Sequence, residues 1–199
     1  MKNINSNLTT AERIMDAAQR MVQTRGYNAF SYADISTQVG IRKASIHYHF
    51  PSKKDLGKEL AARYRTAFRD KLDLIDNQTD DSRRKLKNYA QLYLDALRDD
   101  ERMCLCGMLA SDIATLPEEV RREVVGFFAD NEAWLTKVLE CGRKSEALSF
   151  SGAAKSEAQF FLSGLQGAML VARTYGDETR FRTIAQRLFA KLRIKQQLS

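Results

Sequence analysis

"SYADISTQVGIRKASIHYHFPSKKDL", residues 31–56, decides the fold. Ser31 is followed three residues on by Asp34, the spacing at which a hydroxyl and a carboxylate reciprocally satisfy the free backbone donors of a helix start. Ile35 and Val39 give the next turns a short apolar stripe, and Gly40 ends them. A second short helix is expected over about residues 43–50, stopped by Pro51. Two short helices about a glycine turn have the spacing of a helix-turn-helix unit. Gly40 allows a sharp turn with positive φ, and Ile41 is placed to plug the angle between the helices. Ile46 and Phe50, four apart, anchor the second helix inward, which leaves Lys43, Ala44, Ser45, His47 and Tyr48 on or near its outer face. The small residues matter, because a major groove admits a helix only if its leading side chains leave room.

The same stretch holds both histidines of the chain, His47 and His49, with Tyr48 between them. A zinc site would need further Cys, His or carboxylate ligands in tetrahedral geometry, yet there is no third histidine and the nearest cysteine is Cys104. No nucleophile or carboxylate pair accompanies the histidines for acid–base catalysis. Two readings stay open on the residues alone: contact with a polyanion, or a solvated charged helix. Neither requires a metal or a cofactor, and none is expected.

The bulk of the sequence favours the first. The chain has 199 residues with 32 Lys and Arg against 25 Asp and Glu, a net charge of +7. The excess is densest at the start, where residues 1–60 carry nine basic side chains against five acidic. That distribution favours an anionic partner for the first third. Two prolines and ten glycines leave room for long helices and argue against a sheet-rich fold. No apolar run approaches the roughly 20 residues that a membrane span needs, and "MKNINSNLTT" lacks the apolar core of a signal peptide. Three cysteines, an odd number, do not read as a disulfide framework. A soluble cytoplasmic protein with no membrane partner is expected.

Helical periodicity continues on both sides. Residues 9–26 read as a first helix, with Thr9 and Glu12 at capping-box spacing, Ile14, Ala17, Ala18, Met21 and Val22 on one face, and Gly26 as its stop. Ser52 and Asp55 open a longer helix towards Ile75. Leu86, Tyr89, Ala90, Tyr93, Leu94 and Leu97 make one stripe, and a short helix is expected over 101–115. Pro117 opens a long helix towards Arg143, "ALSFSG" interrupts the pattern, and two last helices are expected over about 153–175 and 178–195. The fold class is therefore all-α: an N-terminal three-helix helix-turn-helix domain and a larger C-terminal helical domain.

The stretch "AERIMDAAQRMVQTRGYNAFSYADISTQVGIRKASIHYHFPSKKDL" resembles the DNA-binding domain of TetR-family (TetR/AcrR-type) transcriptional repressors. The matching pieces are the Ile/Ala/Ala first helix, the Gly-Tyr after it, Asp34-Ile35, Gly40-Ile41, and the His-Phe-x-Ser-Lys ending. The resemblance implies a DNA-binding domain over residues 8–68, with the helix-turn-helix at 31–50, and an effector-binding and dimerisation domain over 69–199. It implies a homodimer on a palindromic double-stranded operator, released by a small-molecule effector, and no enzyme. Base readout falls to Lys43, Ala44 and Tyr48, with Arg42 in addition. Phosphate positioning falls to Ser45, His47, His49 and Lys53, with Tyr32 near the second helix's start. The family usually has tyrosine where this chain has His47, so that contact is expected to survive with altered geometry or pH sensitivity. His49 has a competing role as a structural hydrogen-bond donor.

Three further sets of residues are candidates. In "MCLCGM", residues 103–108, Cys104 and Cys106 read either as small buried hydrophobes or as reactive thiols that sense electrophiles or oxidants, with Arg102 nearby to favour a thiolate. Metal binding by Cys104, Cys106 and Cys141 is a third reading. Tyr89, Tyr93, Met103, Cys104, Met108, Phe127, Trp134 and Phe161 are candidates to line an effector pocket, with plain core as the alternative. Small residues Ser163, Gly164, Gly167 and Ala168 let helices pack closely and mark a candidate dimer interface, again with internal core as the alternative. Besides the ligand-responsive repressor, the residues leave open a thiol-sensing repressor, a small thiol redox enzyme and a nucleic-acid binder without an effector.

Overall fold

A computed structural model describes residues 8–99 and 102–192. Among the described residues there are nine α-helices and no strands: α1 (Thr10–Arg25), α2 (Tyr32–Val39), α3 (Lys43–His49), α4 (Lys53–Gln78), α5 (Ser82–Arg98), α6 (Leu105–Ser111), α7 (Glu118–Lys144), α8 (Ala154–Tyr175) and α9 (Glu178–Lys191). The all-α architecture is the one the sequence implies. Glu101, where the expected sixth helix begins, and residues 193–195, where the expected last helix ends, lie outside the described residues.

The chain divides into two compact units, one of residues 1–65 with 105–124, the other of 66–104 with 125–199. The division falls within α4 and α7. The unit that carries the helix-turn-helix therefore also contains α6 and the first turns of α7.

In the first unit, local codes set the helix starts. Thr9 and Glu12 form a reciprocal box, as do Ser31 and Asp34, and in each the box carboxylate accepts the N-cap backbone N–H at 2.8 and 2.7 Å. Ser52 and Asp55 repeat the pattern before α4. The expected faces are buried: Ile14, Ala17, Ala18, Met21 and Val22 of α1 pack with Ile35 of α2, Ile46 of α3 and Leu56, Leu60 and Ala61 of α4 as the core of the unit. Gly40 ends α2 in the left-handed region at φ 72°, where a side chain would be strained. Ile41 is only half-buried, so it plugs the corner incompletely. Ser36 closes the turn instead, its hydroxyl donating to the Ile41 carbonyl at 2.5 Å.

α6 is shorter than the expected 101–115. After Ser111 the chain tightens into three-residue turns, with the amides of Asp112, Ile113 and Thr115 donating to Leu109, Ala110 and Asp112. The turns carry the Asp112 carboxylate to the Tyr27 amide, at 2.8 Å.

In the second unit, Leu86, Tyr89, Ala90, Tyr93, Leu94 and Leu97 of α5 are buried as one stripe. Phe68, Tyr89, Tyr93, Phe127 and Trp134 form a continuous aromatic cluster, with Tyr89 stacked on Trp134 at 5.5 Å and Phe68 edge-on to Phe127 at 5.0 Å. On α8 the missing side chain of Gly164 admits Leu188 of α9, which would lie 2.9 Å from a Cβ there.

Candidate nucleic-acid interface

α3 is seven residues long and two-faced. Ile46 and Phe50 hold it against the core, at 0 and 2% exposure. Arg42, Lys43, Ala44, Ser45, His47 and Tyr48 all face solvent, and Tyr48 is 84% exposed. No acidic residue stands on α3. The neighbouring carboxylates of Asp34 and Asp55 are committed to the caps of α2 and α4. The hydroxyls of Ser31 and Ser52, donating to them, hold both acids below the usual carboxylate range. The arrangement offers cations, small side chains and one projecting aromatic, the combination suited to a phosphate-flanked groove.

Contacts from α2 and from the turn after α3 fix its pose. From α2, the Tyr32 hydroxyl donates to the Phe50 carbonyl at 2.9 Å, and its ring stands edge-on to His47 at 4.8 Å. Burial, with the Asp55 charge nearby, pushes the Tyr32 phenol up to about 12. His47 Nδ1 bonds the Pro51 carbonyl at 3.1 Å. From α1, Arg13 donates to the Val39 carbonyl at 2.7 Å and so fixes the end of α2 ahead of the turn. His49 is half-buried, with its ring against Tyr48 and Phe50.

Lys53, an expected phosphate contact, is engaged elsewhere. Its ammonium lies over the rings of Phe30 and Tyr27, at 4.2 and 4.8 Å from their centroids, and donates to the Phe30 carbonyl at 2.5 Å. Desolvation lowers its pKa, while the carboxylates of Asp112 and Asp34 act the other way. The Tyr27 hydroxyl returns a hydrogen bond to the Lys53 carbonyl at 3.0 Å, and burial pushes that phenol up to about 12. Lys53 is thus a strut between the start of α4 and the α1–α2 loop. Sequence reasoning passed over Arg13 and Asp112, whose partners lie 26 and 85 residues away. No local pattern marks them.

The other candidates scatter. Tyr89, Tyr93, Phe127 and Trp134 come together in the second unit, joined by Phe68. The Tyr89 hydroxyl donates to Asn131 Oδ1 at 2.8 Å and lies 3.0 Å from the Tyr93 hydroxyl, and Asn131 Nδ2 donates to the Phe127 carbonyl. Burial pushes the Tyr89 phenol well above its ordinary value, and the nearby Cys104 thiol acts in the same direction. Met103 is also buried in this unit. Phe161 packs on Phe189 instead, and Met108 belongs to the first unit. Surface hollows of about 190, 250 and 400 Å³ in the second unit are lined by other residues, among them Leu97 and Arg173, Leu74 and Leu92, and Phe150 and Phe160. Cys104 and Cys106 are both buried, on either side of the point where the chain passes from one unit to the other, and Cys141 is exposed. Among the described residues no group of three His, Cys, Asp or Glu is placed to hold a metal ion. Ser163 and Gly167 face outward on α8, Gly164 faces Leu188, and Ala168 is buried.

Residues 14–60 match the model of bacterial regulatory proteins of the tetR family, and residues 82–188 match that of the tetracyclin repressor-like C-terminal domain. A TetR-family transcriptional regulator from Agrobacterium tumefaciens superposes with a TM-score of 0.90 at 38% identity, covering 92% of this chain and 97% of that one. A TetR transcriptional regulator from Legionella pneumophila gives 0.85 at 34% identity, with 94 and 100% covered. The HTH-type transcriptional repressor NemR of Escherichia coli is 23% identical over 82% of this chain and 84% of its own length. Its crystal structure in the reduced form shares the fold, with a TM-score of 0.81 at 22% identity over 92 and 97% of the two chains.

Proposed function

The chain belongs to the TetR family of bacterial transcriptional regulators, and on that premise we propose that it is a homodimeric repressor which reads a palindromic operator through α3 and leaves it when a small effector binds the second unit. The observation that carries the reading is the outer face of α3. Tyr48 projects 84% exposed from a helix with no acidic residue, flanked by Arg42, Lys43 and the small Ala44 and Ser45. Tyr48, Lys43 and Ala44 are the proposed base readers, with Arg42 at the edge. Ser45, His47 and His49 position phosphates.

Dimerisation is supported by an apolar surface on α8 and α9. Phe160, Leu170, Val171 and Tyr175 of α8 and Ile184 of α9 are all more than 40% exposed, and the outward Ser163 and Gly167 leave room for close approach on the same helix. The effector site is proposed around the Tyr89, Tyr93, Phe127 and Trp134 cluster, where apolar rings surround the few polar groups of Tyr89, Tyr93 and Asn131.

Selecting bound sequences from random DNA tests the reading. The expected product is a palindrome whose half-sites lie one helical turn or slightly more apart, on the order of 34–36 Å. Binding to any DNA without a preferred sequence overturns it.

A second reading keeps the same DNA contacts and makes Cys104 or Cys106 the trigger. It is favoured by the position of the two thiols on either side of the crossing between units, and by the likeness to NemR, whose structure is described as a reduced form. Their burial counts against direct attack by a bulky reagent.

A further inference from the structure

Asp112 stands in the turn after α6, outside the stretch of sequence that carries the helix-turn-helix. Its Oδ2 accepts the Tyr27 backbone N–H at 2.8 Å. The approach is close, since a Cβ on Gly26, whose φ is 92°, would come within 3.2 Å of the same oxygen. This places a carboxylate beside the last turn of α1, where the helix dipole disfavours negative charge. The Lys53 ammonium offsets that cost, because the Asp112 charge raises the Lys53 pKa against the effect of burial.

Parallel ties reinforce the contact. Asn28 Nδ2 donates to Thr115 Oγ1 at 2.8 Å, and Lys54 pairs with Glu119 at 3.0 Å. Gly57 has no room for a Cβ, which would meet the Tyr27 ring at 2.8 Å and Val120 at 3.1 Å. Every one of these residues lies in the first compact unit. On its other side Tyr27 bonds the Lys53 carbonyl, Lys53 bonds the Phe30 carbonyl, and Tyr32 bonds the Phe50 carbonyl at the end of α3. The α1–α2 loop therefore has one end on Asp112 and the other on the corner between α3 and α4.

We propose that Asp112 is a positioning residue for DNA binding: by accepting the Tyr27 N–H it fixes the α1–α2 loop, and through Tyr27 and Lys53 it sets the pose of α3. Residues 105–124 thereby govern DNA affinity without touching DNA. The inference rests on the reading of α3 as the DNA-contacting helix and is independent of which effector, if any, releases it. A ligand or a chemical change that displaces the turn after α6 acts on α3 by letting go of Tyr27.

The test uses the full-length protein and operator sequences selected with it. Affinities for operator and for random DNA are measured for the wild type, Asp112→Ala and Asp112→Asn, with thermal unfolding and hydrogen exchange of the Tyr27 amide alongside. Asp112→Ala is expected to lose roughly tenfold in operator affinity, a charge-assisted bond lost from the competent arrangement, and to exchange the Tyr27 amide faster. Random-DNA affinity should change by less than about threefold, because it depends on phosphate contacts that tolerate a shifted helix. Asp112→Asn retains an acceptor oxygen and should stay within about threefold of the wild type. Unchanged operator affinity in Asp112→Ala, equal losses on operator and random DNA, or an Asp112→Asn protein as weak as the alanine variant overturns the assignment. If Asp112→Ala does not fold, Asp112→Ser is read against the same thresholds. Failure of the wild type to select any sequence removes the DNA-reading role of α3, and the assignment falls with it.

Discussion

The imidazole of His47 donates its Nδ1 proton to the carbonyl oxygen of Pro51, 3.1 Å away. A carbonyl can only accept, so this bond fixes the tautomer of the neutral ring and leaves Nε2 with a lone pair. In that state Nε2 has nothing to donate to a phosphate. Protonation adds the missing N–H without disturbing the Pro51 bond, and yields a charge-assisted contact. Operator affinity is therefore expected to rise as the pH is lowered. A second histidine, His49, stands on the same helix, so the measurement is a difference: the pH slope of the wild type against that of His47→Tyr. Equal slopes would remove His47 as the proton-linked contact.

Tyr48 separates readout from positioning. Its side chain is 84% exposed and, among the described residues, its ring contact is an edge contact with His49, so Tyr48→Ala should leave folding within about 0.5 kcal/mol of the wild type. Binding should weaken on the selected operator by about 1–3 kcal/mol, with preference relaxed at one base step and random DNA little affected. Equal weakening on both DNAs would assign Tyr48 to the backbone instead.

The parts of this interface that were legible in sequence are those written over three to five residues. The boxes at Ser31/Asp34 and Ser52/Asp55, the turn at Gly40 and the inward pair Ile46 and Phe50 depend on helical spacing alone. Lys53 was not legible as a strut, because its destination is set by Tyr27 and Phe30, more than twenty residues earlier, and by the Asp112 charge. The end of α6 was misjudged for the same reason: "SDIAT" continues a helical pattern, and only the Tyr27 amide gives Asp112 another use. In the second unit the stripe from Leu86 to Leu97 was legible, but periodicity does not say which buried rings meet. Phe161 turns to Phe189, away from the cluster it was grouped with, and Asn131, a polar residue among apolar neighbours, is understood only once the Tyr89 hydroxyl is placed beside it.

The caps make acid stability testable. The pKa values of Glu12, Asp34 and Asp55 are all lowered, by hydrogen bonds from the backbone N–H of Thr9 and from the hydroxyls of Ser31 and Ser52 respectively. For an acid whose folded-state pKa is depressed, the stabilisation is fully present above the ordinary carboxylate value of about 4 and is lost as pH falls through the folded-state value. Ser31→Ala should cost about 1 kcal/mol near neutrality. The gap in unfolding midpoint between wild type and variant should hold above the ordinary carboxylate value and narrow as pH falls below it. A gap independent of pH would mean that the Ser31 hydroxyl acts without the Asp34 charge.

The buried polar chain in the second unit predicts an asymmetric cost. Tyr89→Phe leaves Asn131 Oδ1 without its donor in a site that excludes water, and should destabilise by about 1–3 kcal/mol. Adding Asn131→Leu removes the orphaned group and should recover part of that loss. Trp134, the only tryptophan, is stacked on Tyr89, so its fluorescence reports on the cluster during unfolding. Additive losses in the double variant would show that the two side chains are not coupled.

Release from DNA requires that the trigger bind or modify the DNA-incompetent arrangement better than the competent one. A non-covalent effector and a thiol reaction at Cys104 or Cys106 differ in what a serine does. Serine is close to cysteine in size but is a far weaker nucleophile at neutral pH, so Cys104→Ser and Cys106→Ser should leave a non-covalent response intact apart from a modest packing cost. Both thiols are buried, which slows direct oxidation and favours the non-covalent trigger. The expected outcome is that mild oxidants and electrophiles leave operator binding unchanged in the wild type and in both serine variants. Loss of binding on treatment with peroxide, absent in one serine variant of unchanged DNA affinity and reversed in the wild type by a dithiol, would instead identify a sulfenic acid or disulfide at that cysteine as the switch.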